Sequence, residues 1–345
     1  MNTQHKQEKK MDYVIVDLQL FAINVPANLV QQTWAREAMK AAMKNIFFSK
    51  FTGTSNESII QIKEDLRKNR GDKIWIRLLL KLKSAPITGD AMLEGNEDDL
   101  TYADFGVSID QERWAVRSTG KMEEQKSNAN MYTDAKDALQ MRIEEWLDQL
   151  IFEKLTATPT PNRVLYAGGK TSAATITTAD KFDTSVIGKA KRMAQMADPI
   201  IRPVRVNGGN YYVMVIDPYQ ARDLKSDEKW FNAQKDANLR GEKNPIFTGA
   251  LGMWDKVIVH ESETCPRTTD GADGGTVGHA LFLGPQAAVF ARAQSPRWIE
   301  DTFDYKNQWG VAIAQIMGIE KTKYNIEGVD TDFACINVLT SSAGD

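Results

Sequence analysis

The side chains of this chain that could do chemistry are few, and none of them completes a working constellation. Gly168-Gly169-Lys170-Thr171 has the ending of a phosphate-binding loop, in which backbone N–H groups cradle phosphates and the Lys reaches a phosphoryl oxygen. The full motif needs a further Gly five positions before its second Gly, and Val164 stands there. No apolar helix follows Thr171 to offer its N-terminus to an anion. His260-Glu261 opens like a zinc-protease helix, but the second His would fall at Thr264, and the preceding Val257-Ile258-Val259 makes this a strand end. His5 and His279 are the only other imidazoles, so a His-rich metal site is not expected. His279 follows a Gly-rich loop and reads as solvated. Asp270 and Asp273 sit among glycines as in a calcium loop, yet lack regularly spaced oxygen ligands and a closing Glu.

Cys265 has no activating motif beside it and Cys335 lies in an apolar run; both read as small hydrophobes. Glu144 and Glu145 are adjacent, so on a helix they diverge by about 100° and cannot work as a carboxylate pair. With Asp148 they read as a solvated helix face. Lys189, Lys191 and Arg192, with Arg202 and Arg205 nearby, form the densest basic stretch of the second half, either a solvated helix face or a surface toward phosphate. The eight tryptophans read as packing anchors, some of them at subunit interfaces, where Trp is enriched. No catalytic residue, cofactor or metal emerges, and the chain is not expected to be an enzyme.

Composition narrows the classes further. The 345 residues carry 43 Lys+Arg against 46 Asp+Glu, a net charge of −3, which argues against a dedicated DNA-binding domain with a basic footprint. No apolar run approaches the roughly 18 residues of a membrane span. The basic start has no apolar stretch free of charge, because Asp17 interrupts it, and it reads as a lead-in and not a signal peptide. Two cysteines in a chain of this length form no disulfide framework, which suits a reducing cytoplasm.

The elements that must position these side chains are legible in part. Leu29, Trp34, Ala38, Ala42, Ile46 and Phe47 recur at helical spacing over 29–48, within an otherwise thin arm. Residues 74–83 alternate, with Ile74, Ile76, Leu78, Leu80 and Leu82 on one side and Arg77, Lys81 and Lys83 on the other. A second alternating run covers 105–117. Between them the segment EGNEDD carries Glu94, Glu97, Asp98 and Asp99. The spacing predicts one long hairpin over 74–117 with an acidic tip, too thin to be stable alone and therefore laid on something else. Ala135, Leu139, Ile143, Trp146, Leu147, Leu150, Ile151 and Leu155 predict a helix over 133–155, capped by Thr133 or Asp134.

Residues 156–184, rich in Thr, Gly and Pro, read as an irregular connector. A helix follows from about Thr184, then a hairpin at Asn207-Gly208-Gly209-Asn210, then a helix opened by Asp217-Pro218. Strands are expected at 256–260 and 280–284, and over the last fifty residues, broken by Gly310, Gly318 and Gly328. Helices and strands without βαβ alternation mean an α+β fold. The arm, the hairpin and the long helix cannot all bury their apolar faces inside one subunit, and this points to assembly.

At this point the chain resembles a known family. MLEGNEDDL (92–100), VSIDQERWAV (107–116), WLDQLIFEKL (146–155), DPIIRPVRVNGGNYYVMVIDPYQARDL (198–224), NPIFTGALGMWDKVIVHES (244–262), LFLGPQAAVFARA (281–293) and DYKNQWGVAIAQIMGIEKTKYN (304–325) resemble, in the same order, the major capsid proteins of tailed bacteriophages, of the Enquatrovirus-like branch. The resemblance implies the Hong Kong 97-type fold. It divides the chain into an N-terminal arm (1–58), an extended hairpin loop (59–126), a peripheral domain with a spine helix (127–183), an axial domain (184–290) and C-terminal strands of the peripheral domain (291–345).

The implied function is a shell protein of the virion that self-assembles into hexamers and pentamers around double-stranded DNA, in the host bacterial cytoplasm. Portal and scaffolding proteins, and a decoration protein, would be further partners, and no membrane is involved. Trp34, Ile74, Ile76, Leu78, Leu80, Glu94, Glu97, Asp98 and Asp99 become candidates for contact between subunits. Lys189, Lys191 and Arg192 become candidates to face DNA without sequence preference. Two rivals stand beside this reading: an encapsulin-like cellular shell of the same fold, and a nucleotide-binding enzyme using Gly169-Lys170-Thr171.

Overall fold

A computed structural model describes residues 46–344, apart from 65–70, 80–85, 90, 91, 93, 96, 98, 99, 101, 127–130, 207, 238–249 and 327. Two sheets carry most of the strands. The first has the order β1 (Thr52–Gly53), β2 (Ile60–Lys63), β13 (Ala288–Phe303), β14 (Gln308–Lys321), β5 (Asp110–Arg117). The second has the order β6 (Val164–Tyr166), β17 (Cys335–Ser341), β12 (Val277–Leu283), β8 (Gly209–Ile216), β10 (Val257–Glu261), β9 (Gly252–Trp254). Beside this path, β11 (Arg267–Thr268) pairs with β12 and β7 (Val204–Val206) with β8. Two separate pairs remain: β3 (Lys73–Leu79) with β4 (Tyr102–Ser108), and β15 (Lys323–Ile326) with β16 (Val329–Asp332). The described helices are α1 (Lys121–Lys126), α2 (Met131–Thr156), α3 (Thr184–Gln195), α4 (Pro218–Ser226) and α5 (Glu228–Ala237).

Helix α2 joins the two sheets. Ala135, Leu139, Ile143, Leu147, Ile151 and Leu155 step by four along 26 residues, and all are buried. At 1.5 Å per residue the helix is about 39 Å long, and it packs on β14, β5 and β12. One core therefore runs from Leu139 and Ile143 through Val311 and Ile313 of the first sheet to Phe282 and Ile336 of the second. Each fully buried Ile or Leu contributes about 1.5–3 kcal/mol over an exposed one. The helix ends where the Thr156 hydroxyl donates to the Phe152 carbonyl oxygen at 2.8 Å, ahead of Pro159.

Asp217-Pro218 caps α4 as expected: the Asp217 carboxylate accepts Gln220 N–H at 2.6 Å, and Gln220 Oε1 accepts Asp217 N–H at 3.1 Å. Gln220 Nε2 also donates to Thr340 Oγ1 at 2.8 Å, which fastens α4 to the last strand. The Asp183 carboxylate caps α3 through Val186 N–H at 2.9 Å.

Several expectations are corrected. The alternating run 105–117 is not one hairpin arm. It divides at Ile109: β4 pairs with β3, and β5 leaves for the five-stranded sheet beside β14. Gly310 and Gly318 do not break a strand; β14 runs through both, and they lie where other groups come too close for a β-carbon, the Phe303 ring at 2.8 Å and the Ser108 carbonyl oxygen at 1.9 Å. Gly328 does occupy a turn, between β15 and β16, with φ 85°.

The connector 156–184 supplies edge strand β6, and Arg163 within it is fully buried, donating to the carbonyl oxygens of Asp332 and Pro199 at 2.9 Å each. Thr133 and Asp134 do not cap α2, which begins at Met131. Phe47, expected at the end of a helix over 29–48, lies with Phe48 in a 3₁₀ turn, Phe47–Phe51, and Ile46 precedes it in a non-helical conformation; residues 29–45 lie outside the described residues.

Candidate assembly interface

The hairpin β3–β4 has two unlike faces. On one, Ile74 and Val107 are buried against Val289 and Ala291 of β13, with Ile76, Phe105 and Ile109 around them. Ile74 was expected to find its partner in a neighbouring subunit; it finds it in its own chain, because the turn at Ile109 folds the hairpin base back over β13 and β14. Ile76 and Leu78 are half-buried, so they are also mostly inward. Leu80 lies outside the described residues.

The other face carries Trp75, 64% exposed, and Tyr102, 55% exposed. The Trp75 ring lies on the backbone of Gly106, 3.1 Å from where a β-carbon would stand. Trp75, one of the eight tryptophans read as packing or interface anchors, is an aromatic side chain held flat on a strand and open to solvent. Its signal was its odd position in the alternation, among charged residues.

Beyond the hairpin, Met92, Glu94, Glu97 and Leu100 are exposed. Gly95 N–H donates to the Glu97 carboxylate at 2.7 Å. Asp98, Asp99 and Trp34 lie outside the described residues. At the far end of the β13–β14 ladder the turn Asp304-Tyr305-Lys306 places three successive residues at φ 49°, 50° and 68°, with Tyr305 fully exposed. Such strain persists only where surroundings hold it. Here Asn307 N–H donates to the Asp304 carbonyl oxygen at 2.9 Å, and Arg117 stacks over Phe303 at 4.3 Å.

The segment that leads in from the arm is tied to the core. The N–H groups of Phe47 and Phe48 donate to the two oxygens of Asp148 at 2.9 and 3.5 Å. Asp148 is therefore a receptor for this segment and not a member of a solvated face. Burial pushes its carboxyl above the usual range, opposed by these two hydrogen bonds. Lys50 Nζ meets His260 Nδ1 at 3.2 Å, over the rings of Phe47 and Phe51.

The basic helix separates into unlike parts. Lys191 pairs with Asp255 at 2.6 Å and is mostly buried, whereas Lys189 and Arg192 are exposed beside Met193 and Met196. The structure thus does not bring the three expected cations together.

The candidates for chemistry fare no better in space. Gly168 and Gly169 lie in a 3₁₀ turn with φ 64° and 72°. A β-carbon at Gly168 would stand 1.8 Å from Asp180 Oδ1. A carboxylate beside this turn opposes phosphate, and the next α-helix starts only at Thr184. Cys265 and Cys335 are buried, and burial raises both thiols, Cys335 to about 12. His279 is not solvated: it lies in β12, bonds Thr268 Oγ1 through Nε2 at 2.9 Å, and burial lowers its pKa. Among the described residues no group of three or more His, Cys, Asp or Glu could hold a metal ion, and no helix is long and apolar enough to cross a membrane.

Residues 21–343 match the family model described as phage capsid protein. The major capsid protein of Pseudomonas phage KPP25 is 29% identical over 364 residues, covering 91% of this chain and 96% of that one. The capsid of Ralstonia phage GP4 aligns with a TM-score of 0.77 at 32% identity, over 87% of this chain and 92% of that one. The capsid of cyanophage Pam1 aligns with a TM-score of 0.76 at 23% identity, over 100% of this chain and 97% of that one, which speaks for the fold. The fold is the Hong Kong 97-type α+β architecture of these phage capsids. Because the family match runs over residues 21–343, through both sheets, the long helix and the hairpin β3–β4, the chain belongs to the phage capsid protein family.

Proposed function

We propose that this chain, a phage major capsid protein and so a component of the virion, closes into hexamers and pentamers of an icosahedral head around double-stranded DNA. The observation that carries the reading is the hairpin β3–β4, whose inner face is satisfied within the chain while Trp75 and Tyr102 stand open on the outer one. Large aromatic side chains left open on a strand mark a contact surface, and copies of the same chain, related by rotation, provide cover through head-to-tail contacts that close into rings.

In this reading residues 1–58 form the arm, 59–126 the extended loop, 127–183 and 291–345 the peripheral domain, and 184–290 the axial domain, with β17 lending one strand to the sheet of the axial region. Trp34, Leu80, Asp98 and Asp99 take part in contacts between subunits, together with Glu94 and Glu97. The chain belongs to the Enquatrovirus-like branch, assembles in the host bacterial cytoplasm, and works with a portal, a scaffolding protein and a decoration protein. DNA is enclosed without sequence preference, and the chain has no enzymatic activity. Electron microscopy and light scattering of the full purified chain test this: shells or capsomer-sized rings are expected. A monomer that stays monomeric, alone and when co-expressed with its scaffolding protein, overturns it.

A further inference from the structure

One surface of α3 has a composition that packaged DNA does not explain. Lys189, Arg192, Met193 and Met196 fall at spacings of three and four, hence on one face of the helix and its C-cap. With Leu165 of edge strand β6 they line an open pocket of about 280 Å³. Met196 is 82% exposed. Lys191 is already neutralised by Asp255, so Lys189 and Arg192 carry the positive charge of this pocket. A phosphate backbone would gain from the two cations and nothing from Leu165, Met193 and Met196. An occupant that satisfies the whole lining brings negative charge and large apolar side chains together, and methionines adapt well to such a partner.

The chain itself contains that combination. Glu94 and Glu97 are exposed, Asp98 and Asp99 follow them in sequence, and the exposed Met92 and Leu100 bracket all four. We propose that the pocket on α3 is the docking site for residues 92–100 of a second copy, with Glu94 and Glu97 toward Lys189 and Arg192 and Met92 or Leu100 seated among Leu165, Met193 and Met196. This rests on the capsid reading and names where the loop of one subunit lands on the next. Charge at such a rim sets partner register and the rate of encounter, and the apolar seat holds the complex.

The test uses two full-length variants, Glu97→Cys and Arg192→Cys, mixed and treated with a short bis-maleimide; Cys265 and Cys335 are buried, so the introduced thiols are the ones that react. A heterodimer linked 97 to 192 is expected in the mixture and in neither variant alone. Adding Lys189→Glu lowers its yield about tenfold, and Glu94→Lys on the other chain restores it. Thermal midpoints stay unchanged, since these side chains are exposed.

Light scattering on the same samples separates the readings. Multimers without the crosslink overturn this docking and leave self-assembly standing; neither multimers nor crosslink overturns both. A crosslink that forms inside one chain, in the Glu97→Cys/Arg192→Cys double variant at high dilution, overturns the second-copy occupant. A duplex-DNA gel shift lost in Lys189→Glu/Arg192→Glu, with no 97–192 crosslink, assigns the pocket to phosphate and overturns it too.

Discussion

Gly318 of β14 faces the carbonyl oxygen of Ser108 so closely that a β-carbon there would lie 1.9 Å from it. This crossing is where the hairpin β3–β4 comes down on the five-stranded sheet and where the chain turns at Ile109 to become β5. The same glycine that would end a strand by propensity here lets two strands touch.

Gly318→Ala should therefore destabilise the chain by about 1–3 kcal/mol, the usual effect of forcing an extra methyl group into a packed site. Gly188 lies inside α3 with nothing near its missing β-carbon, so Gly188→Ala should stabilise by about 0.5–1 kcal/mol. Denaturant unfolding of the two variants should move in opposite directions.

Lys321 and Asp332 form an ion pair of 2.8 Å with side chains 2% and 1% exposed. Lys321 Nζ also donates to the Ala157 carbonyl oxygen at 2.9 Å, and Thr160 N–H donates to the same Asp332 oxygen at 3.0 Å. Lys321→Met leaves that carboxylate buried without its cation, which costs about 3–5 kcal/mol. Replacing both, as Lys321→Met/Asp332→Leu, should recover a large part of the loss; a double variant no more stable than the single would contradict this account.

Burial pushes the Cys335 thiol up to about 12 from 9.0 and the Tyr324 phenol up to about 12 from 10.0. Both folded values are raised, so the stabilisation they give is complete below the unfolded values and is lost as pH rises toward 12. Melting temperature should fall steadily above about pH 9, less steeply in Cys335→Ala. At pH 8 a disulfide reagent should titrate neither Cys265 nor Cys335 in the native chain and both in guanidinium.

Desolvation raises Asp148 despite the N–H groups of Phe47 and Phe48. A raised carboxyl favours the fold most below the usual carboxylate range and less as pH rises through its folded value. The stability of Asp148→Asn relative to the parent should thus improve between pH 4 and pH 7, by denaturant unfolding at both.

Trp75 is 64% exposed, so Trp75→Ser should leave the melting temperature of the unassembled chain within about 2 °C, since surface changes stay near ±0.5 kcal/mol. Assembly followed by light scattering should nonetheless drop sharply, because buried aromatics dominate interfaces.

Elements whose signals are local are legible along the chain. The four-residue step from Ala135 to Leu155 specified α2, Asp217-Pro218 specified the start of α4, and the alternation at 74–79 specified β3, since each depends on groups a few positions apart. The ordered blocks from 92 to 325 also carried the family. The remainder depends on contacts between distant segments. Ile74 is covered by Val289 and Ala291, two hundred residues on in the chain, and no local pattern records that. The run 105–117 alternates throughout, yet belongs to two sheets, because its first half pairs with β3 and its second with β14, the change falling at Ile109 where the chain meets Gly318. Asp148 reads as solvent-facing by spacing, but Phe47 and Phe48 arrive from a hundred positions earlier to use it. Lys189, Lys191 and Arg192 look alike in a row; Asp255, brought in by another element, removes one of them from the surface. Side chains declare their period in the sequence, whereas their partners are chosen by where distant strands come to rest.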